Sequence, residues 1–177
     1  MKTPKKLFLI ALFGRRGSGK TTLADLFHNE LSYTAHVGVD HIKRFISEFR
    51  EISSHNTISR KVVNAMASEY LKNGISVIVE QGMSRKELED LRDIALVYQA
   101  DFLVYRLEAD EKTLAQRVED RTTKLNKPVI AQDDLAESAR IFNENDYLPT
   151  RVLDSGAMDA HEKANLIFKD LGFDEMC

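Results

Sequence analysis

The sequence predicts a three-layer α/β/α protein built on a five-stranded parallel sheet. Three observations carry that prediction. Five short runs are apolar throughout rather than alternating, as expected of strands covered on both faces. Amphipathic helical patterns fill the intervals, so each strand reaches the next by the crossover that parallel pairing needs. A glycine-rich segment, GRRGSGKTT from Gly14 to Thr22, lies directly between the first apolar run and the first helical pattern.

The first strand is Leu7–Phe13, seven apolar residues behind the basic prefix MKTPKK. That outline also suits a secretion signal, but two arginines and a lysine follow where a small-residue cleavage site belongs. Seven residues are also far too few to span a bilayer, so the run reads as a strand and the chain is expected in the cytoplasm, with no membrane partner. Leu23, Leu26, Phe27 and Leu31 then form a helical stripe, followed by a second strand at Ala35–Val39. Ile58, Val62, Met66 and Tyr70 form a stripe at four-residue spacing, which predicts the buried face of a long helix ending at Asn73-Gly74. Ile75–Glu80 is the third strand. Ser84 to Glu87 (SRKE) spells a capping box ahead of Leu88, Leu91, Ala95 and Tyr98. Phe102–Leu107 is the fourth strand, Leu114 and Val118 mark a fifth helix, and Arg151–Leu153 is the last strand. Ala160, Ala164, Ile167, Phe168 and Leu171 mark the closing helix, with Gly172 just beyond it.

Composition fits one domain over residues 1–177, with 43% hydrophobic and 30% charged residues. The one cysteine, Cys177, excludes an internal disulfide, and the five histidines show no metal-ligand spacing. A net charge of −3 gives no general attraction to extended nucleic acid.

Gly14, Gly19, Lys20 and Thr21 fit G-x-x-x-x-G-K-[ST] at every fixed position, with a strand before and a helix after. Glycines let the backbone wrap a phosphate and turn successive N–H groups toward it, and a helix starting near Lys20 adds the positive end of its dipole. All of Gly14, Arg15, Arg16, Gly17, Ser18, Gly19, Lys20, Thr21 and Thr22 therefore count as nucleotide-binding candidates. The Lys20 ammonium would reach the β and γ phosphates and the Thr21 hydroxyl would ligate magnesium. The glycine order differs from the dinucleotide fingerprint G-x-G-x-x-G. A guanine-reading N-K-x-D is also missing, because NKPV at Asn126–Val129 carries valine where the aspartate belongs. The loop implies ATP with magnesium as cofactors.

Other candidates sit at strand ends, where open parallel sheets bind their ligands. Asp40 directly follows the second strand and has two readings: a general base toward an acceptor hydroxyl, or an N-cap of the helix beginning HIKRFI. Lys43, one turn on, reads either as a holder of an anionic acceptor or as part of a solvated helix face, and Arg85, at the start of the fourth helix, is a further substrate-binding candidate. Glu80 closes the third strand beside the loop, as an outer magnesium ligand or as a plain polar strand end. Arg117 and Arg121 share a helical face in TLAQRVEDRTTKLNKP, suited either to transferring phosphate oxygens or to surface pairing with Glu119 and Asp120.

GRRGSGKTT, VGVD, VIVEQG and EADEKTLAQRVEDR together resemble the small P-loop kinases: chloramphenicol phosphotransferase-like proteins, zeta-toxin-type kinases and the kinase domain of polynucleotide 5′-kinases. The likeness covers most of the chain. It implies a P-loop NTPase fold of nucleoside-kinase type, with a small helical lid over about residues 117–135. It also implies Asp40 as base, Lys20 and Thr21 on phosphate and magnesium, and Arg117 and Arg121 as lid arginines. Lys43 stands where polynucleotide kinases carry a substrate-binding arginine, and Gln81 is interposed in a zeta-like glutamate-glycine stretch. The expected activity is phosphate transfer from ATP to a hydroxyl on a small molecule or a nucleic-acid end. The alternative is a regulatory ATPase or switch with no dedicated acceptor.

Overall fold

The computed structural model describes residues 1–124, 139–140, 142–143, 145, 147 and 150–173, with residues 121, 122 and 124 described by backbone alone. The expected lid from residue 125 onward, the Asn126–Val129 segment, Cys177 and the side chain of Arg121 lie outside the described residues.

The elements follow in order: β1 (Phe8–Gly14), α1 (Lys20–Glu30), β2 (Thr34–Gly38), α2 (Val39–Lys43), α3 (His55–Lys72) and β3 (Ser76–Gln81). Then come α4 (Arg85–Val97), β4 (Asp101–Glu108), α5 (Glu111–Lys124), β5 (Arg151–Asp154) and α6 (Ala160–Asp170). The five strands form one parallel sheet in the order β2-β3-β1-β4-β5. The predicted architecture is thus the observed one. The connection from β1 runs outward to β2, whereas the one from its neighbour β3 crosses to β4 on the other side, which opens a crevice beyond the carboxyl ends of β1 and β3.

β1 shows why its run is continuous. Leu9, Ala11 and Phe13 face α3 and α4, whereas Phe8, Ile10 and Leu12 face α1 and α6. All are essentially inaccessible to water, and each buried Leu, Ile or Phe stabilises by roughly 1.5–3 kcal/mol. On α1, Leu23, Ala24 and Phe27 pack into the second of these layers against Phe168 of α6.

Helix ends follow their local chemistry. Gly74 takes φ +73° just beyond α3, the left-handed cap that Asn73-Gly74 predicts. Glu87 accepts the Ser84 N–H at 2.7 Å, completing the expected capping box of α4. Asp159 and Glu162 form a second box at the start of α6.

Three sequence expectations need correction. On α3 the buried row is Ser59, Val63, Ala67 and Leu71, one position on from the predicted stripe. Met66 and Tyr70 pack beside that row, while Ile58 and Val62 are exposed. Small Ser59 and Ala67 let the helix backbone approach the sheet, which outweighs the bulk of Ile58 and Val62. β2 ends at Gly38, so Val39 belongs to α2. β3 runs one residue past Glu80, and Gln81 pairs with Phe13 in unbroken register, lengthening the strand without a bulge. Among the described residues, no helix is long and apolar enough to cross a membrane.

Candidate active site

Residues 14–19 turn the chain from the carboxyl end of β1 into α1. Gly19 holds φ +89° with open space around it, so its backbone angle is what demands glycine. Gly17 combines φ +83° with close packing: a Cβ there would stand 2.9 Å from the Leu114 carbonyl of α5. Lys20 opens α1, and its Nζ donates to the carbonyls of Gly14 (2.9 Å) and Arg15 (3.1 Å). The ammonium is thereby held over the loop. Arg15 pairs with exposed Glu111 of α5 at 3.2 Å, and Ser18 is fully buried. Thr21 is half-buried and Thr22 exposed on the first turn of α1.

Glu80 faces this turn from β3. Thr21 Oγ1 donates to Glu80 Oε1 at 3.4 Å, and the glutamate side chain is only 8% exposed. Burial pushes its carboxyl up to about 7, against the nearby Lys20 charge, with Asp40 and Asp25 adding to the rise. A polar strand end open to water would not carry such a shift.

Asp40 lies in the first turn of α2. Gly38, not Asp40, holds the N-cap position, and no side chain caps the helix. The cap reading of Asp40 therefore fails. Its carboxylate meets Lys43 Nζ at 3.2 Å instead, the two being one turn apart. Desolvation pushes the Asp40 carboxyl up, but Lys43, Arg16 and Lys20 together outweigh it and hold Asp40 below the ordinary aspartate value. Asp40 is ionised at neutral pH and shares one electrostatic environment with the phosphate loop.

Arg117 on α5 donates Nη2 to the Ser155 carbonyl at 2.8 Å, fastening the helix to the turn after β5. That contact replaces the surface pairing with Glu119 or Asp120, since Asp120 accepts from Gln116. Arg85 opens α4 and donates to Glu89 at 3.0 Å on a largely exposed face. Lys20, Thr21, Glu80, Asp40 and Lys43 thus converge at one end of the sheet, with Arg117 on the α5 side of the loop.

Sequence reasoning missed two polar groups here, Arg106 and Asn145, and did not foresee the contacts of His36. His36 of β2 bridges toward Asp25 and Glu80. Arg106, which interrupts the apolar run of β4, lays its guanidinium 3.9 Å from the Phe142 ring centre and donates to the Asn145 carbonyl. Asn145 in turn donates to the Met83 carbonyl at 2.7 Å, tying down the loop after β3. A charged residue inside an apolar strand was the available signal for Arg106; nothing local marked Asn145.

The loop, its lysine and threonine, and the acidic end of the adjacent strand define a P-loop nucleotide-binding protein of kinase-like fold. The chain belongs to the AAA domain family, whose sequence profile matches residues 9–141. No curated protein matches it. Among solved structures, it is similar to a candidate kinase from Chloroflexus aurantiacus j-10-fl, at 16% identity and a TM-score of 0.71 over 93% of this chain and 98% of that one. A gluconokinase from Sinorhizobium meliloti 1021 matches at 18% identity and a TM-score of 0.64, over 93% and 91% of the two chains. The Pnkp1/Rnl/Hen1 RNA repair complex matches at 22% identity and a TM-score of 0.64, covering 78% of this chain and 44% of that one. At these identities the likeness is one of fold.

Proposed function

We propose that the protein is an ATP- and magnesium-dependent phosphotransferase, one domain working in the cytoplasm, that moves the γ-phosphoryl group to a hydroxyl of a small molecule or a nucleic-acid end. The observation that carries this reading is the phosphate loop with Lys20 Nζ held over it and the paired Asp40 and Lys43 at the same end of the sheet. A phosphate loop alone binds a triphosphate; a carboxylate poised beside it gives an acceptor hydroxyl somewhere to send its proton.

In this reading the loop N–H groups and Lys20 hold the β and γ phosphates. The acceptor oxygen forms a bond to the γ-phosphorus as the bond to the bridging β-γ oxygen breaks, ADP leaves, and the hydroxyl proton passes to Asp40. Lys43 and Arg85 hold the acceptor, while Arg117 and Arg121, within a lid over about residues 117–135, neutralise charge on the transferring group. Thr21 and Glu80 would hold magnesium, which would offset the charge of the phosphates. The donor set suits it: Thr21 Oγ1 and Glu80 Oε1 are both oxygens, side by side. Among the described residues no cluster of three or more His, Cys, Asp or Glu is arranged to hold a metal by itself. That accords with an ion shared with phosphates and water.

The test is ADP release measured with and without a panel of hydroxyl acceptors, including sugars, nucleosides and 5′-hydroxyl oligonucleotides. Stimulation by one class, lost in Lys20→Ala, supports the phosphotransferase. Acceptor-independent turnover across the whole panel supports a regulatory ATPase instead.

A further inference from the structure

A cavity of about 220 Å³ opens at the amino end of the sheet, and its lining includes Pro4, Lys5, Lys6, Leu7, Tyr33 and Ser76. The seven residues of β1, Phe8–Gly14, put about 20 Å between this end and the phosphate loop. One wall is the segment that precedes β1, and that segment is tied at both ends. Lys2 donates its N–H to the Glu30 carbonyl at 2.7 Å and accepts from the Ser32 N–H at 2.9 Å. The Leu7 carbonyl accepts from the Asp101 N–H at 2.9 Å. The cavity is therefore preformed rather than a gap under a loose end.

Tyr33 supplies another wall in a conformation that does not favour tyrosine. Its φ is +53°, in the left-handed region where glycine or asparagine sits with less strain. The backbone uses that angle, since the Tyr33 carbonyl accepts the Ser76 N–H at 2.9 Å, but the turn has no need of a ring. The side chain is 72% exposed and adds little to the core. Ser76 is buried; its Oγ accepts the Phe8 N–H at 3.2 Å and keeps its own proton to donate. Lys5 and Lys6 are exposed, and neither is paired with a carboxylate among the described residues. Helix carboxyl ends on this side also attract cations, but α3 has its own in Lys72, paired with Glu69. Glu30 and Asp101 meet the segment through backbone hydrogen bonds and do not line the cavity.

An apolar slot with an exposed aromatic face, a buried hydroxyl donor and two ammoniums at its rim suits a planar ring that carries an anion. We propose that this cavity binds a nucleotide unit, with the base between Pro4, Leu7 and Tyr33 and the phosphate at the rim with Lys5 and Lys6. The polar edge of the base meets the Ser76 hydroxyl. The space is smaller than most drug-sized pockets, so it takes the base while sugar and phosphate stay outside. A free mononucleotide and one residue of a single strand both offer this chemistry, which aromatic platforms flanked by basic side chains select. The net charge of −3 does not oppose it, because salt screens exposed charges beyond about 10 Å. The site is separate from the phosphate loop and does not depend on the phosphotransferase reading.

The experiment follows backbone amide shifts of the full chain by NMR. AMP, or penta-adenylate phosphorylated at both ends, is added to about 10 mM, enough to reveal millimolar affinity. Shifts at Leu7, Tyr33, Gly74 and Ser76 report this cavity, and those from Gly14 to Thr21 report the phosphate loop separately. The cavity set should move and saturate. Adenosine, which lacks the phosphate, and ribose 5-phosphate, which lacks the ring, should each bind about tenfold more weakly than AMP. Tyr33→Asn, which suits the left-handed turn, should weaken AMP by about tenfold. Lys5→Gln combined with Lys6→Gln should weaken it and remove most of its salt dependence. A strand that binds about tenfold tighter than AMP marks nucleic acid as the source, and closer affinities mark the free nucleotide. Cavity amides that stay still with both probes overturn the proposal. So does binding that these variants leave unchanged, or adenosine binding as tightly as AMP. Movement confined to Gly14–Thr21 overturns it while leaving the phosphate-loop reading intact.

Discussion

Asp40 carries a charge that its surroundings both penalise and reward. Desolvation by neighbouring protein atoms disfavours the carboxylate although its side chain is largely exposed, while Lys43 at 3.2 Å and the more distant Arg16 and Lys20 favour it more strongly. The result is a base that is always ionised at working pH yet weakly basic, suited to orienting a hydroxyl and taking its proton only as the P–O bond forms. Asp40→Asn keeps the shape and removes the charge. It should lower phosphate transfer by about 10²–10⁴-fold, the usual reach of a general base. ATP affinity should stay near the wild-type value because the loop is untouched. Stability should change by no more than about 1 kcal/mol, since the Asp40–Lys43 pair is largely exposed on the aspartate side. Single-turnover kinetics with the best acceptor, beside an ATP titration and a thermal melt, separate these effects. Wild-type transfer in Asp40→Asn would leave the carboxylate as a partner of Lys43 and nothing more.

Among the elements, α3 departs most from what its sequence suggests, and it offers a paired test. Val62 and Val63 are neighbours in sequence, but Val62 is 39% exposed and Val63 fully buried. Val63→Ala should cost about 2 kcal/mol in urea denaturation, whereas Val62→Ala should fall within about 0.5 kcal/mol of wild type. The reverse order would put the 58/62/66/70 row inward after all. Ile58 to Tyr70 misleads because an i, i+4 row of large residues looks like a core stripe, while a helix buries an arc wide enough to include the row beside it. Where packing partners are local, the sequence is read easily. The phosphate loop depends on spacing within nine residues, the Ser84 box on four, and the strands on unbroken apolar runs. Val39 was misplaced because a β-branched residue suits a strand, although the chain turns at Gly38. The Asp25–His36–Glu80 arrangement lay beyond sequence reasoning for a different reason. It joins α1, β2 and β3, and only the sheet order, with β3 inserted between β2 and β1, brings them together.

For the whole molecule, the buried Glu80 couples the site to folding. Its carboxyl lies near 7 in the folded chain against an ordinary 4.5, so the fold favours the protonated form. Between those values the folded state binds more protons than the unfolded state, and stability must fall as pH rises. The contribution is complete below about 4.5 and lost as pH passes about 7, amounting to about 3 kcal/mol at 1.36 kcal/mol per unit. Lys20 faces Glu80 and opposes this trend, whereas Asp40 and Asp25 reinforce it. His36 works in the other direction below 6.5, because burial holds it neutral in the folded chain despite Asp25. Raw stability against pH therefore mixes the two groups, and the informative quantity is the difference between wild type and Glu80→Gln. Glutamine keeps the volume and never ionises. In metal-free buffer, urea denaturation from pH 5 to 8 should show wild type losing stability relative to Glu80→Gln as pH rises, with most of the change complete by about pH 7. A flat difference would mean that water reaches Glu80 and that the carboxylate is not held in the dry corner formed by Thr21, Gly38 and His36. If the slope appears, the folded protein carries, at neutral pH, the cost of a carboxylate held ionised where a bound cation would stabilise it. Such a cost reflects a site shaped for its ligand rather than for the empty fold.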